Sequence, residues 1–364
     1  MAKRHVLGAI GGAAALVLLA GCSGGSSTPA ESGKVTGTLH ILVSSAAASD
    51  KAFKDLNAEF VKKYPDVKVD FSAVPNANFA ASRSSRLTAG NVDITLAAPR
   101  EMPKYVKNGA VDDDTAAAEA GLFVDLTGQK FLKNFTPSVL DQLTYKGKDY
   151  TVPTGLSYYT GVYYNKKIFD ENGLKVPTTW SEFENVVSTL KGKGVTPLGI
   201  GGKDSWPAGL GMIAAVQGLY PSAEDKNALS KDLWAGKVDL ADGKQLEVLQ
   251  RVKSLYDAAQ KNFSGVGYDA IPSEFAKGQV AMTVDGTWNQ PTIDAAVNGA
   301  FDYGYFPLPA SDNAADNKWL GGKVELRMVA ASNGPNKAAA LAYLAFFSEP
   351  AQYAKFVATA GFAP

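Results

Sequence analysis

Cysteine and histidine are nearly missing from this chain of 364 residues, which holds one cysteine, Cys22, and two histidines, His5 and His40. A single thiol permits no internal disulfide and no cysteine-built zinc site, so packing alone must hold the fold. His40 lies in an apparent strand and His5 in an apparent leader, a poor basis for histidine-dependent catalysis. An excess of charge is missing too: 36 basic side chains balance 36 acidic ones. Without a basic stripe, nucleic acid is not an expected partner, and neither is a membrane surface held by a polybasic patch. The one greasy stretch, at the start, is short and glycine-interrupted, unsuited to spanning a bilayer.

What that start does resemble is a secretory leader. Lys3 and Arg4 precede an apolar core and small residues. Leu19-Ala20-Gly21-Cys22 resembles the bacterial lipobox, which implies a lipoprotein signal peptide over 1–21 and a lipid anchor on Cys22. The protein would then sit extracytoplasmically on a bacterial cell membrane. Residues 22–35 read as a flexible tether, its SGGSSTPAESG run offering nothing apolar to bury. Losing Lys3 and Arg4 from the 36 basic groups leaves 34 against 36 acidic ones. The remainder, 46% apolar and 10% aromatic over the whole chain, can bury a large core, more naturally in two domains than one.

Along that remainder, Leu39, Ile41 and Val43 alternate as in a strand ending at Ser44-Ser45. Phe53, Leu56 and Phe60 predict a helix stopped at Tyr64-Pro65, followed by a strand at Val67, Val69 and Phe71. A helix over about 78–89 and a strand over 93–97 complete a β-α-β-α-β order, the pattern of a mostly parallel sheet covered by helices. Further strands are expected at 161–164, 197–201, 280–284 and 327–331, with helical sequence over 222–263, from 338, and after Glu349-Pro350. Thr179 and Glu182 have capping-box spacing. Asp112-Asp113-Asp114 reads as a solvated loop before a helix rather than a metal site.

Two stretches carry an identity: GVYYNKKIFDENGLKVPTTWSEF at 161–183 and SEFAKGQVAMTVDGTW at 273–288. With YKGKDYTVP at 145–153, and Gly321-Gly322 followed by a strand and Gly334-Pro335-Asn336-Lys337, they resemble the family 1 extracellular solute-binding proteins. These are the maltose-binding-protein-like receptors of ABC importers. The resemblance implies an α/β, two-lobed, type II periplasmic-binding-protein-like fold. Each lobe would be a mostly parallel sheet flanked by helices, joined to the other by crossing hinge strands. Lobe one would take 36–152 plus 285–331, and lobe two 153–284 plus 332–364. It further implies more second-lobe helix beyond Gly361-Phe362-Ala363-Pro364.

The function so implied is reversible capture of a mono- or oligosaccharide, with no catalytic residue, metal or cofactor, and delivery by a monomeric receptor to the membrane subunits of an ABC permease. A sugar site needs aromatic faces against C–H bonds and fixed polar groups for hydroxyls. Trp288, after Gly286-Thr287 at a strand end, is the first aromatic candidate, and Trp206 the second; Trp180 is assigned to packing. Polar candidates at strand ends are Ser44, Ser45, Arg100, Glu101, Ser157 and Tyr158. After the Gly pair, Lys323, Glu325 and Arg327 alternate, and Lys323 or Glu325 is expected to touch solute. Such a lining suits vicinal hydroxyls and equally an anionic solute. Alternatives are the same receptor for a polyamine or glycerol phosphate, and a secreted glycoside-acting enzyme, since paired carboxylates can meet from anywhere in a sequence. Gly199-Ile200-Gly201-Gly202-Lys203-Asp204 is no phosphate loop, because Asp204 replaces the required hydroxyl.

Overall fold

The computed structural model describes residues 34–364; the leader, Cys22 and the tether up to residue 33 lie outside the described residues. The first part of the chain runs β1 (Gly37–Ser44), α1 (Ala47–Lys63), β2 (Val67–Val74), α2 (Asn76–Ala89), β3 (Ile94–Leu96), α3 (Asp113–Glu119), α4 (Pro137–Asp141) and β4 (Val152–Pro153). The second runs β5 (Leu156–Tyr159), β6 (Gly161–Asn165), α5 (Lys166–Glu171), α6 (Trp180–Gly192), β7 (Leu198–Gly199), α7 (Trp206–Leu219), α8 (Ala223–Trp234) and α9 (Gly243–Asp257). It continues through α10 (Ile271–Ala276), β8 (Met282–Asp285), α11 (Gln290–Val297) and β9 (Tyr303–Pro307). The last part is β10 (Gly321–Val324), β11 (Arg327–Ala330), α12 (Lys337–Phe347) and α13 (Pro350–Ala360).

A five-stranded sheet has the order β2-β1-β3-β11-β4. β1 lies parallel to both β2 and β3, as the β-α-β-α-β pattern implied, whereas β11 is antiparallel to β3 and β4. Leu39, Ile41, Leu42 and Val43 are all fully buried, so β1 is covered on both faces. One face packs against Phe53, Leu56 and Phe60 of α1, together with Tyr343, Phe347 and Phe356. Those last three come from α12 and α13, which corrects the expected placing of 332–364 in the second lobe. The cause is local: β11 hands the chain over inside this sheet, and Asp93 accepts the Asn336 amide at 2.6 Å, turning it directly onto α12. Tyr343 then donates to Asn57 on α1 at 2.7 Å.

A second sheet has the order β7-β8-β6-β9. Only β7 and β8 run parallel; β6 is antiparallel to both β8 and β9, so this sheet is mixed rather than mostly parallel. β9 and α11 belong here, which corrects the expected placing of that part of 285–331 in the first lobe. Five consecutive β6 residues, Gly161 to Asn165, pair with β9, and Ile293 and Val297 of α11 pack beside Tyr163. The opposite face buries Val162, Trp180, Phe183 and Leu190. α6 opens on the capping box that its sequence spacing predicted, with both Thr179 and Glu182 engaged.

Between the sheets, β5 and β10 form a two-stranded antiparallel ribbon. The chain leaves the first sheet at β4, passes through β5 and enters the second at β6; later it returns through β10 to β11. Gly155, at φ 137°, makes the first bend, where a Cβ would come within 2.7 Å of Phe362. Thr160, between β5 and β6, is a buried β-branched residue held at φ 68°. Such backbone persists only where its surroundings over-determine it. Here the Thr160 hydroxyl accepts the Gly321 amide at 3.0 Å and its carbonyl accepts Leu308 N at 2.9 Å.

Candidate ligand-binding site

β8 ends in Asp285, and the turn behind it folds the Trp288 indole back over the chain. Gly286 permits this, since a Cβ there would lie 2.2 Å from the indole ring. The Trp288 ring nitrogen donates to the Tyr268 hydroxyl at 2.9 Å. Tyr268 in turn donates to Asp285, at 3.0 and 3.1 Å from its two carboxylate oxygens. Asp285 also accepts the Gly286 amide at 2.8 Å and the Asn289 side chain at 2.6 Å. Burial pushes this carboxyl up to about 7, although every one of those hydrogen bonds pulls the other way. Burial likewise drives the Tyr268 hydroxyl well above its usual range, so it stays a donor. A buried acid thus fixes a tyrosine, and the tyrosine fixes an indole.

Trp206 completes an aromatic group. Its ring lies 4.6 Å from Tyr268 and 6.1 Å from Trp288, centroid to centroid. It opens α7 directly after Ser205, whose backbone stands at φ 64° and ψ −54°. Strained backbone of this kind costs on the order of 1–3 kcal/mol and is concentrated at functional positions.

The ribbon supplies the polar groups. Lys323 is paired in register with Ser157. The Lys323 ammonium sits 4.4 Å over the Trp288 ring and 3.0 Å from a Glu325 oxygen. Ser157 donates to that same oxygen, and Glu325 is only 7% exposed. Thr287, beside Trp288, accepts the Tyr158 amide at 3.1 Å, tying the ribbon to the aromatic turn. The arrangement therefore offers ring faces, a cation and a buried carboxylate within one group of contacts. It can bind through dispersion and hydrogen bonds; among the described residues no group of three His, Cys, Asp or Glu could hold a metal.

The structure brings together Trp206, Trp288, Ser157, Lys323 and Glu325, with Tyr158 attached through its backbone. The other expected residues have local partners. Ser45 donates to Asp50 at the start of α1, at 2.6 Å. Arg100 pairs with Asp112 at 2.9 Å and Glu101 accepts the Lys146 amide at 3.1 Å. Ser44 ends β1, half-buried. Asp112 caps α3 by accepting Thr115 N, so Asp113 and Asp114 lie within the helix rather than in the solvated loop expected before it. Tyr268 and Asp285 were missed: Tyr268 opens a single 3-10 turn (Tyr268–Ala270), and no spacing signals its bond to a carboxylate seventeen positions on. Two hollows of about 300 and 350 Å³ lie elsewhere, against α1 with α13 and against α6 with α9, and contain none of this group.

Two sheets with separate cores, joined by a two-stranded ribbon, make the two-lobed type II architecture of periplasmic solute-binding proteins. The model for the bacterial extracellular solute-binding protein family matches residues 44–354, and the chain belongs to that family. It is 27% identical to the multiple sugar-binding protein of Streptococcus mutans over 296 residues, 80% of this chain and 66% of that protein. Against the diacetylchitobiose binding protein DasA of Streptomyces coelicolor it is 26% identical, covering 88% of this chain and 73% of the other. Among solved structures, the binding protein RafE in complex with raffinose superposes with a TM-score of 0.74 at 26% identity, over 90% of this chain and 81% of that one. The apo form of RafE, from Streptococcus pneumoniae, gives 0.66 at 26% identity, over 92% and 82%. No helix among the described residues is long and apolar enough to cross a membrane.

Proposed function

We propose that this chain is the carbohydrate-capturing receptor of an ABC importer, lipid-anchored through Cys22 and acting by reversible binding with no bond made or broken. The observation that carries the reading is the joined set of Trp206, Tyr268 and Trp288 beside Ser157, Lys323 and Glu325. Ring faces take the apolar faces of a sugar, and Lys323 and Glu325 take its hydroxyls as donor and acceptor. Family membership and sugar-binding relatives agree with it. The higher TM-score against the raffinose complex than against the apo form supports a closed arrangement of lobes. Solute bridging the lobes would favour that arrangement, and a permease would read it.

The test is thermal unfolding of the protein against neutral oligosaccharides, among them raffinose, and against amino acids and polyamines. Ligand at a hundredfold excess over Kd stabilises by about 2.7 kcal/mol, an easily read shift in Tm. Stabilisation by a saccharide that is recovered intact is the expected result. Stabilisation by amino acids or polyamines alone would overturn the carbohydrate reading, and a hydrolysed saccharide would overturn receptor function.

A further inference from the structure

Arg327 opens β11, where the chain returns from the ribbon to the first sheet. Its carbonyl accepts the Ala97 amide at 3.0 Å, so it lies against the end of β3 a few residues before Arg100. The Arg327 side chain is half-buried, yet it makes no hydrogen bond and no ion pair with any described residue. A partly desolvated guanidinium with five unused donors is costly unless something else engages it.

The neighbouring carboxylates are already committed. Asp114 forms the ion pair with buried Arg83 and accepts the Ala98 amide at 2.6 Å. Asp112 holds Arg100 at 2.9 Å and caps α3 through Thr115 N. Of the three guanidinium groups on Arg83, Arg100 and Arg327, the first two are ion-paired to Asp114 and Asp112, and Arg327 has no ion-pair partner among the described residues. Arg100 is bound only through Nε, and its side chain is 70% exposed, so its outer nitrogens are free to turn. Burial first, and the charge of Arg100 second, hold the Arg327 guanidinium below its usual range, with the nearby Asp114 carboxylate opposing them in part. Lys323 and Glu325, which contact the aromatic group and the ribbon, stand four and two residues earlier on the same segment, so the chain runs directly from that group to Arg327.

We propose that Arg327 and Arg100 receive a carboxylate carried by the solute, so that the preferred ligand is an acidic saccharide, one containing a uronic acid. The inference rests on the carbohydrate-receptor reading and names the substrate class within it. A carboxylate matches the planar guanidinium fork with two parallel hydrogen bonds, and its charge supplies the ion pair that Arg327 lacks. A neutral diol could occupy the fork but would leave that ion pair unmade.

Isothermal titration of the full chain with paired probes tests this: digalacturonate against galactobiose, and glucuronate against glucose, with glucose 6-phosphate as a third arm. At neutral pH an acidic member is expected to bind at least tenfold more tightly than its neutral counterpart. That preference should shrink at least tenfold in Arg327→Gln, and it should also weaken in Arg100→Gln, whose exposed side chain makes unfolding no concern. Neutral members binding as tightly as acidic ones, or an unchanged preference in both variants, would overturn the acidic corner and leave the receptor reading intact. Tighter binding of the phosphate than of any uronate would overturn the carboxylate assignment. Binding of no saccharide at all would sink both readings.

Discussion

Replacing Trp288 by alanine isolates the contribution of the aromatic platform, because the structure specifies what else the substitution disturbs. One indole face against a sugar removes roughly 60–80 Å² of apolar surface from water, about 2 kcal/mol at the usual transfer coefficient. The protein does not offer that face free of charge effects, since the Lys323 ammonium already lies 4.4 Å above it. Ligand must displace that cation, forfeiting about 0.5–1 kcal/mol of cation–π attraction at a partly exposed site. The difference leaves about 1–1.5 kcal/mol, or roughly a tenfold rise in Kd for Trp288→Ala.

Tyr268 would lose its donor but keep Asp285, so the fold around the site should survive. Titration calorimetry with the best saccharide ligand reads the loss, and thermal unfolding of the free variant checks the fold. Trp288→Phe keeps a ring face while losing the bond to Tyr268, and should fall between wild type and alanine. A Kd within twofold of wild type for Trp288→Ala, with unfolding unchanged, would remove the indole from the site and with it the main support for a sugar ligand.

Asp285 and Thr179 give two further predictions. The Asp285 carboxyl stands at about 7 when folded against 3.8 as a free side chain, so the folded protein keeps a proton the unfolded chain has released. Its contribution to stability is therefore complete below pH 4 and lost as pH rises to 7, an upper bound of about 4 kcal/mol at 1.36 kcal/mol per unit. Urea unfolding across that range should show this decline relative to Asp285→Asn; parallel profiles for the two proteins would refute it. Thr179→Ala removes the hydroxyl that accepts Glu182 N at the start of α6 and should cost about 1 kcal/mol in the same measurement. An unchanged urea midpoint would mean the capping box contributes nothing.

The first sheet was largely legible because its signals are local. β1 and β2 alternate, α1 carries Phe53, Leu56 and Phe60 on one face, and Thr179-Trp180-Ser181-Glu182 is a self-contained helix start. What the sequence did not convey was pairing. LSYY of β5 and GGKV of β10 have no buried alternation of their own; they are strands because each pairs with the other across more than 150 residues. KAAALAYLAFF of α12 announces a buried helix but not which sheet buries it, so assigning 332–364 to the second lobe was a topological error rather than one of propensity. Trp288, Lys323 and Glu325 were singled out from the glycine turns that precede them, and the structure groups them around the indole. Arg100 has the type and the strand-end position of a ligand contact; what the sequence did not convey is that Asp112 holds its Nε and leaves only the outer nitrogens for a solute.

On the proposed reading the hinge and the site would share residues, and that sharing would supply the coupling a receptor of this kind requires. Trp288 is fixed to the second sheet through Tyr268 and Asp285; Lys323 and Glu325 ride on the ribbon; Arg327 begins a strand of the first sheet. A solute touching all of them has more contacts when the two sheets converge than when they part, and only that differential affinity can move an open–closed equilibrium. The bends at Gly155 and Thr160 bracket β5, so rotation there re-aims Ser157 and its partner Glu325. Tyr158 links the same strand to Thr287, next to the indole, through one backbone hydrogen bond. If the proposed receptor flexes at either bend, the binding surface itself changes, and occupancy of that surface would in turn bias the hinge angle.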